Sequence, residues 1–138
     1  MIRLFIVKNT FIAGVVLLSL FASCQLSIKP ETLYGKWKYV KIENNSVANT
    51  TNVTSEQLEA ESPYIKFSKD SLLIWWGGQV LTHGTYKIDG DKIQFKEIQA
   101  GGKIREFPFI VSKLDDKNLV FETKGDDGSK VTAVKQDK

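Results

Sequence analysis

Hydrophobic and polar residues alternate along this chain in short runs, and turn-forming residues interrupt them at close intervals. From Tyr64 onward the runs are Tyr64–Ser68, Ser71–Trp76, Val80–Ile88, Lys92–Gln99, Lys103–Leu114, Asn118–Lys124 and Ser129–Gln136. Gly77-Gly78 and Asp89-Gly90 are tight-hairpin sequences, because their central positions tolerate positive φ. Lys69-Asp70, Gly101-Gly102, Asp115-Asp116-Lys117 and Gly125-Asp126-Asp127-Gly128 separate the other runs. Ile93 and Phe95 share a face, as do Phe107, Phe109 and Val111, and Leu119 and Phe121 lie opposite Val120. A period of two marks strands with one buried face. Tyr34–Glu43 supplies one more run, for eight strand candidates in all. Tight turns make consecutive strands antiparallel neighbours, and such a meander loses its raw edges only by closing on itself. The pattern therefore predicts an all-β, eight-stranded antiparallel up-and-down barrel.

One short helix is expected. Asn44–Ser62 is polar, and inside it Thr54 and Gln57 have the spacing of a capping box that starts a helix over Ser55–Glu61. Pro63 closes the segment. Asparagines followed two residues later by serine or threonine in its first half read as a polar loop.

The N-terminus has a different pattern. Arg3 and Lys8 precede an almost wholly apolar run, Phe11 to Phe21, too short to span a bilayer and suited to a signal peptide. It ends in Leu20-Phe21-Ala22-Ser23-Cys24, which resembles the lipobox of bacterial lipoproteins, with Phe21 where that pattern prefers leucine. The resemblance implies cleavage after residue 23 and acylation of Cys24, the only cysteine in the chain. The expected organisation is a signal peptide over 1–23, a lipidated tether over 24–32 and one barrel domain over 33–138. Gln25 stands where an inner-membrane retention signal has aspartate, and no acidic run follows. That composition points to the outer membrane, facing the periplasm.

Composition narrows the function classes. Formal net charge is +3, and two of the 19 basic residues lie in the signal segment, so the rest is nearly balanced by 16 acidic residues. No basic stripe of the kind nucleic-acid binding needs is present. The single histidine, His83, has no nucleophile or orienting carboxylate placed by any motif, and one His with one Cys cannot build a zinc site. Asp89, Asp91, Asp126 and Asp127 sit in glycine-containing turns, where turn chemistry accounts for them without a metal. No cofactor, metal or enzymatic activity is expected.

Gly35-Lys36-Trp37 matches the G-x-W motif of lipocalins. Gly84-Thr85-Tyr86-Lys87-Ile88, with the following Asp89-Gly90-Asp91 turn, is similar to small lipocalin-like lipoproteins of Bacteroidota. The resemblance covers roughly Leu33 to Lys135. It implies that Trp37 plugs one end of the barrel, with a late basic side chain, Lys130 or Lys135, packed over it.

Tyr39, Phe67, Tyr86, Phe95, Phe109 and Phe121 join Trp37 as interior candidates. An eight-stranded interior either holds one small apolar ligand or is filled by side chains. Trp75 and Trp76 are adjacent on a strand and must face opposite ways. One enters the core, and the other is a candidate contact for a partner or membrane. Two functions remain open: a lipid-anchored carrier of a small hydrophobic molecule, or a filled barrel that engages an envelope protein, as an inhibitor lipoprotein does, through rim and loops. Cys24→Ala is expected to abolish labelled-palmitate uptake and release the protein from the membrane fraction; a mutant that stays membrane-bound beside an unlabelled wild type refutes acylation.

Overall fold

The computed structural model describes residues 26–44, 52–125 and 128–137. The expected signal peptide, Cys24, and positions 45–51 of the polar loop lie outside the described residues. Eight strands follow in chain order: β1 (Gly35–Asn44), β2 (Tyr64–Phe67), β3 (Ser71–Trp76), β4 (Gln79–Asp89), β5 (Lys92–Ile98), β6 (Ile104–Leu114), β7 (Asn118–Glu122) and β8 (Ser129–Lys135). Each pairs antiparallel with the next, and β8 returns to β1, so the sheet closes into a barrel. Strand ends fall within two residues of those read from the turn signals.

Local sequence explains the turns. Gly77 and Gly78 both have positive φ, 62° and 86°, as a two-residue hairpin loop with the right twist requires. At the β6–β7 turn, Asp115 Oδ1 accepts the Lys117 and Asn118 amides at 2.8 and 2.7 Å. These bonds hold its carboxyl below the usual carboxylate range. Pairing register shifts at three places, between Tyr39 and Lys41, Ile74 and Trp75, and Val111 and Lys113. Such irregularities bend strands and let a short sheet curl into a closed one. Gly84 is buried in β4, where an added Cβ would lie 1.9 Å from the Lys96 carbonyl oxygen. No other residue fits where β4 and β5 approach so closely.

Helix α2 (Ser55–Glu61) forms as its capping box predicts. Thr54 Oγ1 accepts the Gln57 amide at 3.2 Å, and the Gln57 side chain accepts the Thr54 amide at 2.9 Å. The helix buries Leu58 in the core, and the Gly77 amide bonds to the Glu61 carbonyl. It thus lies at the end of the barrel that carries the β3–β4 turn, which is the mouth.

The opposite end is closed by the segment read as a polar tether. From Leu26 onward it packs on the barrel: Ile28 and Leu33 are buried, and a helical turn, α1 (Pro30–Leu33), precedes β1. The Ile28 amide bonds to the Gly90 carbonyl in the β4–β5 turn. The segment therefore crosses from the β4–β5 side of the barrel to β1. Trp37 is fully buried beneath it, and its Nε1 donates to the Leu33 carbonyl at 2.8 Å.

Lys135, not Lys130, is the late basic residue over Trp37. The two are direct cross-strand partners, and Lys135 Nζ lies 4.6 Å from the indole centroid. Its ammonium also donates to the Thr32 carbonyl at 3.1 Å and to the Tyr34 carbonyl. Gly35 has φ 119°, and a Cβ there would meet Lys135 Cε at 3.0 Å. The glycine thus makes room for the lysine stem as well as for the turn of the chain. Trp37→Ala would remove the plug under α1 and should cost about 3–5 kcal/mol. Chemical denaturation is the measurement, and a mutant that melts like the wild type would place this ring outside the core.

Candidate binding surface

The interior candidates all lie in one packed cluster. Trp37, Tyr39, Phe67, Tyr86, Phe95, Phe109 and Phe121 are each at most 8% exposed. The rings touch in sequence across the barrel. Phe107 meets Phe95 at 5.5 Å, Phe95 meets Phe109 at 5.5 Å, Phe109 meets Phe121 at 5.1 Å, and Phe121 meets Tyr39 at 6.1 Å. On the far wall Phe67 and Tyr86 pack edge to face at 5.4 Å. Each such pair adds roughly 0.5–1.5 kcal/mol to the burial of its area. The side chains occupy the space a carried ligand would take.

Two of these residues have a polar end. Burial drives the Tyr39 hydroxyl well above the ordinary tyrosine range. Tyr86 is pushed up to about 12, first by burial and then by the nearby Tyr34 and Asp70, and its hydroxyl donates to the Ser68 carbonyl.

The mouth is polar on its inner rim. Thr82 Oγ1 donates to Glu97 at 2.7 Å, and Gln99 Nε2 donates to the other Glu97 oxygen at 3.2 Å. Arg105, opposite Glu97 across β5 and β6, lies 4.7 Å over the Phe107 ring. Trp76 packs against the core from this end.

The outer wall holds what alternation left outside. Trp75 faces out and stacks on Tyr64 with centroids 5.8 Å apart and planes 11° from parallel. Lys36 Nζ lies 3.9 Å over the Tyr64 ring. Lys36, Lys38, Ser62, Tyr64, Trp75 and Gln136 line a cleft of about 350 Å³. A larger depression, about 710 Å³, lies over β4 and β5 and carries charges of both signs, including Asp89, Lys96 and Glu106. His83 is exposed on the wall, in register with Leu73.

Besides Val40 on β1, four exposed apolar residues at the mouth were not singled out by sequence. Val80 and Leu81 follow the β3–β4 turn at 45% and 62% exposure, and Ile98 and Ile104 face each other across the β5–β6 turn at 41% and 64%. Their signal was the break in alternation at Val80-Leu81, where the β3–β4 register shifts. Among the described residues no group of three His, Cys, Asp or Glu could hold a metal, and no helix is long and apolar enough to cross a membrane.

No family model and no curated protein matches the chain. Solved structures do. A lipocalin-like protein from Bacteroides uniformis is 20% identical, with TM-score 0.55 over 76% of this chain and 99% of that one. An uncharacterised protein from Bacteroides eggerthii is also 20% identical, with TM-score 0.53 over 75% of this chain and 99% of that one. The fold is thus that of lipocalin-like barrels.

The buried tyrosines set an alkaline limit on this fold. Their neutral forms are favoured by folding, so the stability they contribute is complete below pH 10.0 and falls as pH rises toward about 12. Lys135 has the opposite sign, because burial lowers its pKa from 10.5 and stability gains as it loses its proton. A spectrophotometric titration should show the Tyr39 phenol ionising only as the protein unfolds, and Tyr39→Phe should move that transition to higher pH. Ionisation of Tyr39 near pH 10 in the folded protein would refute the packed interior.

Proposed function

We propose that this chain is a non-enzymatic, lipid-anchored envelope protein whose filled barrel engages a protein partner through its mouth-end rim. The packed interior is the observation that carries the reading. With Phe95, Phe109, Phe121 and Tyr39 in mutual contact, an apolar molecule could enter only by displacing them. Core displacements of that kind typically cost several kcal/mol. The expectation of a small hydrophobic ligand loses ground for that reason, and the partner-binding alternative gains.

The anchor suits such a role. Cys24 lies four residues before Ile28, which is bonded at the closed end. Four residues span at most about 14 Å. An acylated Cys24 would hold the closed end toward the bilayer. The mouth lies a strand length away, about 25 Å for a tilted strand of this size. Val80, Leu81, Ile98 and Ile104 would then project from the membrane, where a partner in the periplasm can reach them. Exposed apolar residues grouped at one rim are what a partner surface offers.

The chain from Gln25 onward contains every core residue found among the described residues. Titrated with fatty acids of increasing length, it should give no heat and no protection from unfolding. Affinity that grows with chain length, near 0.8 kcal/mol per methylene, would instead establish the carrier reading. In cells, a photo-crosslinker at Leu81 or Ile104 should trap a discrete partner, whereas one at Gln94 on the wall should not. Equal trapping at all three sites, or none at any, overturns the rim assignment.

A further inference from the structure

The wall formed by β1, β2 and β3 carries a row of side chains that the rim does not explain. Lys38 faces Tyr64 across β1 and β2, Tyr64 faces Trp75 across β2 and β3, and Trp75 faces Val80 across β3 and β4. One row nearer the closed end, Lys36 faces Lys66 and Lys66 faces Leu73. Three lysines therefore share one face with two aromatic rings. Among the described residues, none of the three lysines forms an ion pair, although Lys41, Lys96 and Lys124 do. Like charges placed side by side repel, and an anion between them relieves that repulsion.

The cleft is where this charge converges. Its ionisable lining groups are Lys36, Lys38 and Tyr64, with no carboxylate, and the Gln136 carboxamide adds a neutral donor. The other polar group, Ser62 Oγ, is already committed to the Glu59 carbonyl. At about 350 Å³ it has room for a head group and none for an acyl chain. Beside the lysines the wall turns apolar at the stacked Tyr64 and Trp75, with Val40 exposed on β1. Lysines beside tryptophan and tyrosine are the composition that proteins present to a lipid–water interface.

We propose that this outer-wall cleft is a binding site for a phosphodiester head group, with Lys36 and Lys38 on the phosphate oxygens and Tyr64 and Trp75 against the adjoining apolar part. Lysine serves phosphate as a mobile point charge and needs no planar fork. The site stands on the geometry of the wall and does not require Cys24 to be acylated, so its failure and the failure of the anchor are separately visible.

The test uses the unacylated chain from Gln25 onward, with tryptophan fluorescence as the readout. It is mixed with phosphatidylglycerol vesicles, with phosphatidylcholine vesicles and with soluble glycerophosphoglycerol, the deacylated diester of the same head group. Trp37 is buried, so Trp75→Phe identifies the part of the signal that comes from the wall. A response to phosphatidylglycerol vesicles alone identifies a lipid surface as the source, and a response to glycerophosphoglycerol as well identifies the phosphodiester group itself. Lys36→Gln with Lys38→Gln should weaken binding about 30-fold, since each lysine near an anionic surface contributes roughly fivefold. Lys87→Gln with Lys113→Gln removes the same charge elsewhere and should leave binding within about twofold of the wild type. Equal losses in the two pairs would mean general charge attraction and overturn the site, as would the absence of binding to all three probes. Because all four lysines lie on the outer surface, both pairs should melt like the wild type; if the Lys36/Lys38 pair does not, Gln136→Ala replaces it and must weaken binding by itself.

Discussion

An eight-stranded sheet is stable in water only if its two raw edges are removed, and here they are removed by pairing β1 with β8. That pairing is fastened by one arrangement. Lys135 extends over Trp37, its direct cross-strand partner, and its ammonium reaches the carbonyls of Thr32 and Tyr34. The last residue of the last strand is thereby bound to the chain that enters the first. Gly35 is bare at this point because the lysine stem occupies the place of a side chain. The N-terminal segment, the indole and the lysine form one closure, so changing any of them disturbs both the seam and the plugged end.

Closure also determines what the inside can do. Eight strands enclose a space that a handful of aromatic side chains fills, and this chain supplies them from both sides. Once rings occupy the interior, specificity can arise only on surfaces that the strands turn outward. The architecture is shared with a lipocalin-like protein of Bacteroides uniformis, and the inner aromatics of this chain pack against one another within it. The outer wall and the rim then divide the remaining chemistry: cations and stacked aromatics on β1 to β3, exposed aliphatics on the hairpins at the mouth.

The ends of the barrel are unequal for a related reason. At the closed end the Trp37 Nε1 and the Lys135 ammonium both bond to backbone carbonyls in and just after helix α1. At the mouth, Glu97 is held by Thr82 and Gln99 instead, and Arg105 rests on Phe107. The indole bond of the first arrangement is buried and its lysine bonds are part-buried. The second is part-buried at Thr82 and exposed at Gln99.

Much of this was determined by the sequence alone, because it depends on near neighbours. Alternation in Ile93-Phe95 and Phe107-Phe109-Val111 sets which faces are buried, Gly77-Gly78 and Asp89-Gly90 dictate tight reversals, and Thr54 with Gln57 starts the helix. Those signals lead to a closed meander and to its core aromatics. They do not separate Lys130 from Lys135, since both are late lysines and only the β1–β8 register places one opposite Trp37. Nor do they show that Leu26–Leu33 packs across the barrel end, because a short run with few apolar residues reads as a tether until a distant turn at Gly90 receives it. The direction of Trp75 was likewise open, since adjacent residues must diverge but local pattern does not say which one turns inward. The pairing of β2 with β3 decided it, by setting Trp75 against Tyr64 on the outer wall. Contacts between residues far apart in the chain require the closed sheet, and only the tertiary structure contains it.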